Sequence, residues 1–203
     1  MTRNPRFAIL AALALAPIAS NAAGTDEFLY CTTCHGAEGN GNLAIRAPKI
    51  AGMERWYVDA QLAAFRAGWR GTDPADMPGH EMRPVAAILP NDATVARVSA
   101  FVATFTPSAP PLTVQGDAAH GATLYTACAA CHGADGRGNE ALAAPALAGQ
   151  SDWYLVAQLH NYTEGRRGMH KDDIHDATMQ PFAAALADDA AIVDVVAYIN
   201  SLH

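Results

Sequence analysis

Lysine is scarce in this chain. Lys49 and Lys171 are the only two in 203 residues, and the formal charge is −7. So few clustered cations argue against nucleic acid and against an anionic membrane surface as partners. The negative balance leaves room for a basic protein partner without identifying one. Cysteine is limited to four residues, and all four fall in two short motifs, so none is spare for a disulfide. Strand-like alternation is missing throughout, which excludes a sheet-based fold. The glycine-rich stretch Gly36 to Asn42 is followed by no Lys-Ser pair and preceded by no strand, which excludes a phosphate-binding P-loop. Past the N-terminus, no run is apolar enough to cross a bilayer.

The N-terminus itself is the exception. Arg3 and Arg6 precede an apolar run from Phe7 to Ala16, and Ser20-Asn21-Ala22 supplies a small-x-small cleavage site, with Ala23 as the alternative end. The run is short for a bilayer span. It reads as a signal peptide over residues 1–23, the alternative being an uncleaved anchor. Removing it deletes the two arginines and takes the formal charge from −7 to −9. Export to the periplasm is the expected location.

The four cysteines stand as Cys31-Thr32-Thr33-Cys34-His35 and Cys128-Ala129-Ala130-Cys131-His132. Each reads C-x-x-C-H, the attachment motif of a c-type haem. Two thiols on one helical turn can bond both vinyl-derived carbons of a porphyrin, and the adjacent histidine then lies under the iron. One such motif fits a redox dithiol or half a zinc site equally well; two that use every cysteine point to two covalently bound haem c groups.

Around these motifs the chain repeats itself. Adding 97 to a position in the first half gives its counterpart in the second, without gaps. Gly36, Gly39, Gly41 and Asn42 map to Gly133, Gly136, Gly138 and Asn139. Pro48 maps to Pro145, Trp56-Tyr57 to Trp153-Tyr154, Gln61-Leu62 to Gln158-Leu159, and Arg70 to Arg167. Gly24 and Phe28, four apart in a first helix, match Gly121 and Tyr125. The repeat predicts an internal duplication: one domain over 24–105, a proline-rich linker over 106–116 and a second domain over 117–203. Each unit is small for a free-standing core, and a covalent porphyrin would supply the missing apolar centre.

The expected fold class is all-α. Helices are predicted from about Glu54 to Ala67 and Asp152 to Glu164, and from about Ala93 to Phe105 and Asp189 to Leu202. Val95, Val98, Phe101 and Val102, like Ile192, Val195, Tyr198 and Ile199, recur at helical spacing. Asn91 or Asp92 is placed to cap the helix that follows.

A haem held by one histidine has an open sixth position. Met82 and Met179 are a pair in register. Met53, Met77 and Met169 have no methionine partner, and His80, His160, His170 and His175 have no histidine partner. Met82 and Met179 each stand two residues before a proline, which predicts a rigid extended loop. Core filling is methionine's commoner use, but paired positions in a loop favour ligation, and Met/His ligation raises the reduction potential. Pro48 and Pro145 are candidates to present carbonyls to His35 and His132. Trp56, Tyr57, Trp153, Tyr154, Arg70 and Arg167 are candidates to cover the haems or meet their propionates, the alternatives being helix packing for the aromatics and solvent for the arginines.

From Gly24 to His203 these motifs, with P-x-[IL]-A-G, W-Y-x-x-x-Q-L, G-x-R-G and M-x-P before a terminal helix, resemble the dihaem cytochrome c4 family. The resemblance implies two tandem cytochrome c-type haem domains facing each other across a pseudo-twofold. Each iron would be held by a histidine and a methionine, through His35 with Met82 and His132 with Met179. It also implies a periplasmic carrier that exchanges electrons with redox proteins such as a terminal oxidase, other cytochromes or a dehydrogenase. Any membrane association would come through a partner. An alternative is the electron-accepting subunit of a dehydrogenase complex. A dihaem enzyme would need an open or unusually ligated iron, which the paired methionines and the lack of a fifth cysteine disfavour.

Overall fold

The computed structural model describes Met1 and residues 25–202, with side chains of the first helix from residue 29 onward. The signal peptide expected over residues 1–23 lies outside the described residues, as do Gly24 and the side chain of Phe28, the expected counterparts of Gly121 and Tyr125.

Among the described residues eight α-helices stand in two sets of four: α1 (Thr25–His35), α2 (Arg55–Ala67), α3 (Met77–Ala87) and α4 (Asp92–Val102), then α5 (Ala118–His132), α6 (Asp152–Thr163), α7 (Ile174–Ala184) and α8 (Asp189–Ile199). Among the described residues there is no strand, only two isolated bridges, Asn42 to Ala47 and Asn139 to Ala144. No single described helix is long and apolar enough to cross a membrane.

The helices expected from apolar periodicity are present. Asn91 caps α4 by accepting from the Thr94 N–H, and Asp188 caps α8 by accepting from Ala191. The first core centres on Val58, Leu89, Val95, Val98 and Val102, and the second on Tyr125, Leu155, Val195, Val196 and Ile199. Both are small. In the second unit α5 crosses α8 at Gly121, where an added Cβ would strike the Asp194 carbonyl oxygen. Tyr125 fills the crossing beside Tyr198, with ring centroids 5.3 Å apart.

One expectation is corrected. Met82 and Met179 do not lie in extended loops; they sit within α3 and α7, and Pro84 and Pro181 are inside those helices. Each helix is launched by a buried aspartate: Asp76 accepts from the Gly79 N–H and Asp173 from the Asp176 N–H. The proline removes one N–H from the eighth helical position, and each helix ends three residues later, so few bonds are lost.

Residues 106–117 carry no regular element, yet they are fastened at both ends. The Ser108 N–H reaches the Asn40 side-chain oxygen at 3.3 Å, and the N–H groups of Thr113 and Val114 donate to the Asp152 carboxylate at 2.6 and 2.8 Å.

Candidate functional site: two histidine–cysteine clefts and the interface between them

Each C-x-x-C-H motif closes a helix. His35 ends α1 and His132 ends α5, and the following glycine-rich turn is built from backbone bonds, with the Gly41 and Gly138 N–H groups donating to the His35 and His132 carbonyls at 2.8 Å. Asn42 and Asn139 then cap short 3-10 turns, Leu43–Ile45 and Glu140–Leu142. Those turns carry the chain back to Pro48 and Pro145.

Both histidines are buried, at 5% and 4% exposure. The Pro48 carbonyl oxygen lies 2.7 Å from His35 Nδ1, and the Pro145 carbonyl oxygen 2.8 Å from His132 Nδ1. A carbonyl only accepts, so Nδ1 carries the proton and Nε2 keeps its lone pair. Burial lowers the pKa of both rings, against the pull of those carbonyls, so the neutral ligating form is favoured. The expected role of Pro48 and Pro145 is what the structure shows.

On the far side of His132 the chain presents a thioether. Met179 Sδ lies 3.5 Å from His132 Nε2. The two side chains line a mostly apolar cleft with about 1250 Å³ of atom-free space, counting its mouth. Cys128 is in the same wall. Burial pushes the Cys31 thiol up to about 11 and raises that of Cys128, so neither is an ionised surface thiolate. None of the four cysteines forms a disulfide. Met82 holds the position on α3 that Met179 holds on α7, and both are half-buried.

The other candidates are placed elsewhere. Met77 and His80 are exposed, and Met169 accepts from the Gln180 amide. His160 faces Glu164 and Asp189 at 3.7 and 3.8 Å, and His170 stacks on Trp69 at 5.5 Å. His175 is exposed at the cleft mouth.

The cleft is not built from one half alone. Met53, Trp56, Tyr57, Ala60 and Gln61 of the first unit line it beside the residues of the second. Behind that wall the halves meet through a reciprocal polar network. Arg70 Nη2 donates to Tyr154 and Gln158 at 3.0 and 2.9 Å, and Arg167 Nη2 donates to Tyr57 and Gln61 at 3.3 and 3.0 Å. Those partners are counterparts in the repeat, so the interface is a pseudo-twofold. The arginines are therefore not solvated: they are buried, at 4% and 3% exposure. Burial alone would raise the Tyr154 hydroxyl, but Arg70 and Arg167 overcome it and leave it below the ordinary phenol value. Lys49, also buried, donates to the Gly149 carbonyl at 2.7 Å and adds a further tie.

The donor set fits two haem c groups: paired cysteines, a histidine with Nε2 available and, in the second unit, a facing thioether. The buried Arg70 Nε has no hydrogen-bond partner among the described residues, and a carboxylate such as a porphyrin propionate is what a guanidinium edge takes.

The family model for cytochrome c matches this chain twice, over residues 22–106 and 118–203. The cytochrome c4 of Azotobacter vinelandii is 31% identical over 196 residues, covering 90% of this chain and 89% of that protein. The chain belongs to the dihaem cytochrome c4 family. Its fold is that family's: the crystal structure of reduced recombinant cytochrome c4 from Pseudomonas stutzeri aligns with a TM-score of 0.69 at 27% identity, over 89% of this chain and 97% of that one. A protein of Stutzerimonas stutzeri named as a thiosulfate dehydrogenase electron acceptor is 36% identical over 177 residues, covering 79% of this chain and 74% of that protein. As a cytochrome c4 family member the chain carries two covalently bound haem c groups and transfers electrons.

The interface was only partly visible beforehand. Arg70, Arg167, Tyr57 and Tyr154 stand out by their register, but not the fact that they meet across the two halves. Asp176 was missed. Its signal was a mismatch: aspartate where the first unit has Gly79.

Proposed function

We propose that this chain is an exported electron carrier without substrate chemistry of its own, in which His35 with Met82 and His132 with Met179 hold the two irons. The observation that carries this reading is the His132 Nε2 to Met179 Sδ approach of 3.5 Å, with the opposite ring nitrogen pinned by Pro145. The register extends it to His35, Pro48 and Met82. The haem supplies a one-electron Fe(III)/Fe(II) couple when bound. The chain's own residues fix the histidine tautomer, present a soft sixth donor and wall off water with Trp56, Leu155 and Leu159. Thioether donation favours Fe(II) and raises the potential. With a histidine and a methionine both holding the iron, no site would be left for a substrate, and the haem would exchange electrons with protein partners.

The test is Met82→Ala and Met179→Ala. Each variant should turn one of two haems high-spin and lower its potential, seen in the absorption spectrum and in an optical redox titration. An unchanged spectrum in either variant removes that methionine from the ligand set.

A second reading makes the chain the electron-accepting subunit of a periplasmic dehydrogenase. It is supported by the relative named as an acceptor for thiosulfate dehydrogenase. The sites are the same in both readings, and a dehydrogenase that stays with this chain through native purification would select the second.

A further inference from the structure

The two halves match closely at the interface, but not in charge. Arg70 and Arg167 correspond, as do Tyr57 and Tyr154, Gln61 and Gln158, and Asp76 and Asp173. Asp176 corresponds to Gly79, and Tyr162 to Phe65. The second unit therefore holds a carboxylate that the first lacks. Asp176 is buried and takes both oxygens to Arg167, from Nε at 2.7 Å and Nη2 at 2.8 Å, while the Tyr162 hydroxyl donates to it at 2.9 Å. Arg167 also lies over the Tyr162 ring at 4.7 Å, as Arg70 lies over Phe65 at 4.6 Å. Gly79 has no room for the same group: an added Cβ would strike the Asp76 carboxylate that caps α3.

Asp176 lines the cleft of His132 and Met179, together with Arg167 and Tyr162. Its anion therefore faces the C-terminal haem site. The guanidiniums are common to both halves and cancel in a comparison of them, and Lys49, which also lacks a charged counterpart, is not in this wall. An exposed histidine, His175, stands at the mouth. A fixed anion in a buried wall stabilises Fe(III), which carries one more positive charge than Fe(II), and so lowers the potential of the iron it faces.

We propose that Asp176 is the residue by which this chain sets the reduction potential of its C-terminal haem apart from that of its N-terminal haem. The inference rests on the dihaem His/Met reading above. Asp176 is not itself an iron ligand in that reading; it acts through charge, and Tyr162 and Arg167 tune that charge by hydrogen bonding. The two irons are then unequal sites, and removal of the carboxylate brings their environments closer.

The test is an optical redox titration of the full holoprotein as wild type, Asp176→Asn and Tyr162→Phe. The two steps are assigned by repeating it in a Met82→His background, which lowers the N-terminal step. Asp176→Asn should raise the C-terminal step, and by more than it moves the N-terminal one. Tyr162→Phe removes a hydrogen bond that disperses the carboxylate charge, so it should lower the C-terminal step; phenylalanine already stands at the equivalent position 65, so the fold accommodates it. Equal movement of both steps, or none, with two low-spin haems retained, overturns the proposal. Should Asp176→Asn fail to mature, Tyr162→Phe decides alone, and an unmoved C-terminal step overturns it. A wild-type protein with fewer than two covalent haems, or with a high-spin iron, instead overturns the dihaem His/Met reading, so the two failures are distinguishable.

Discussion

A proline carbonyl decides which ring nitrogen of His35 and of His132 is available, and a glycine decides where that carbonyl sits. Gly138 has φ +79°, and a Cβ there would meet the Ala144 oxygen and the Ala146 nitrogen, both at 2.6 Å, and the Pro145 carbonyl carbon at 2.7 Å. Gly138→Ala therefore presses on the segment that holds His132 Nδ1, besides placing an L-residue in the left-handed region. We expect a loss of about 1–3 kcal/mol in unfolding free energy, measured by denaturant titration of the holoprotein, with the C-terminal haem's spectrum perturbed and the N-terminal one unchanged. Equal stability of variant and wild type would mean that the turn relaxes without moving Pro145. The pairing of Pro48 with His35 and Pro145 with His132 was legible in the sequence because proline and histidine recur together, thirteen residues apart, in both halves.

At the scale of elements, legibility followed apolar spacing. Helices α2, α4, α6 and α8 carry regular apolar positions or a readable cap, and their expected spans agree with the structure to within a few residues. In α3 and α7 the proline two residues after Met82 and Met179 predicts an extended loop; what starts each helix is a buried aspartate, Asp76 or Asp173, and a cap is a weak signal beside a proline. A third aspartate was equally silent. Asp152 has arginine as its counterpart and is fully buried. It accepts from the Thr113 hydroxyl at 2.7 Å and from the Thr113, Val114 and Trp153 N–H groups at 2.6, 2.8 and 2.7 Å, tying the linker to the start of α6. Burial alone would raise its pKa, but these donors outweigh it and leave the carboxyl below the usual range. A depressed folded pKa contributes stability above the unfolded value, about 3.9, which is lost as pH falls through the folded one. Asp152→Asn should accordingly cost about 1.5–3 kcal/mol near neutrality, and its deficit against wild type should shrink below about pH 3.9. Unfolding titrations at pH 7 and pH 3 check this, and a deficit of the same size at both would rule out the charge as its source.

Across the whole molecule, the repeat predicted two domains but not what makes them one body. Nothing in the spacing of Arg70 and Arg167 shows that each reaches its partner's tyrosine and glutamine, because a register within one sequence carries no record of contacts between its copies. Two guanidiniums buried against a single carboxylate are costly unless every donor is met. The network meets all of them but Arg70 Nε, and draws on both halves to do so: Arg70 Nη1 goes to Gln61 at 2.5 Å, Arg167 Nη1 to Gln158 at 2.8 Å, and the Nη2 donors cross over. Neither half can complete its own set, so separating the halves strands buried polar groups on both sides. Arg70→Met keeps much of the side-chain volume but leaves Tyr154 and Gln158 short of a donor, and we expect it to lower stability by roughly 2–4 kcal/mol. Its larger effect falls on cooperativity. The wild-type holoprotein should unfold in denaturant as one transition whether followed by far-UV circular dichroism or by Soret absorbance. In the variant the two probes should separate, because each half retains its own core and porphyrin but loses its hold on the other. Coincident transitions in Arg70→Met, shifted together to lower denaturant, would show that Lys49, the linker clasp at Asp152 and the wall contributed by Trp56 and Tyr57 suffice to couple the halves without the arginine.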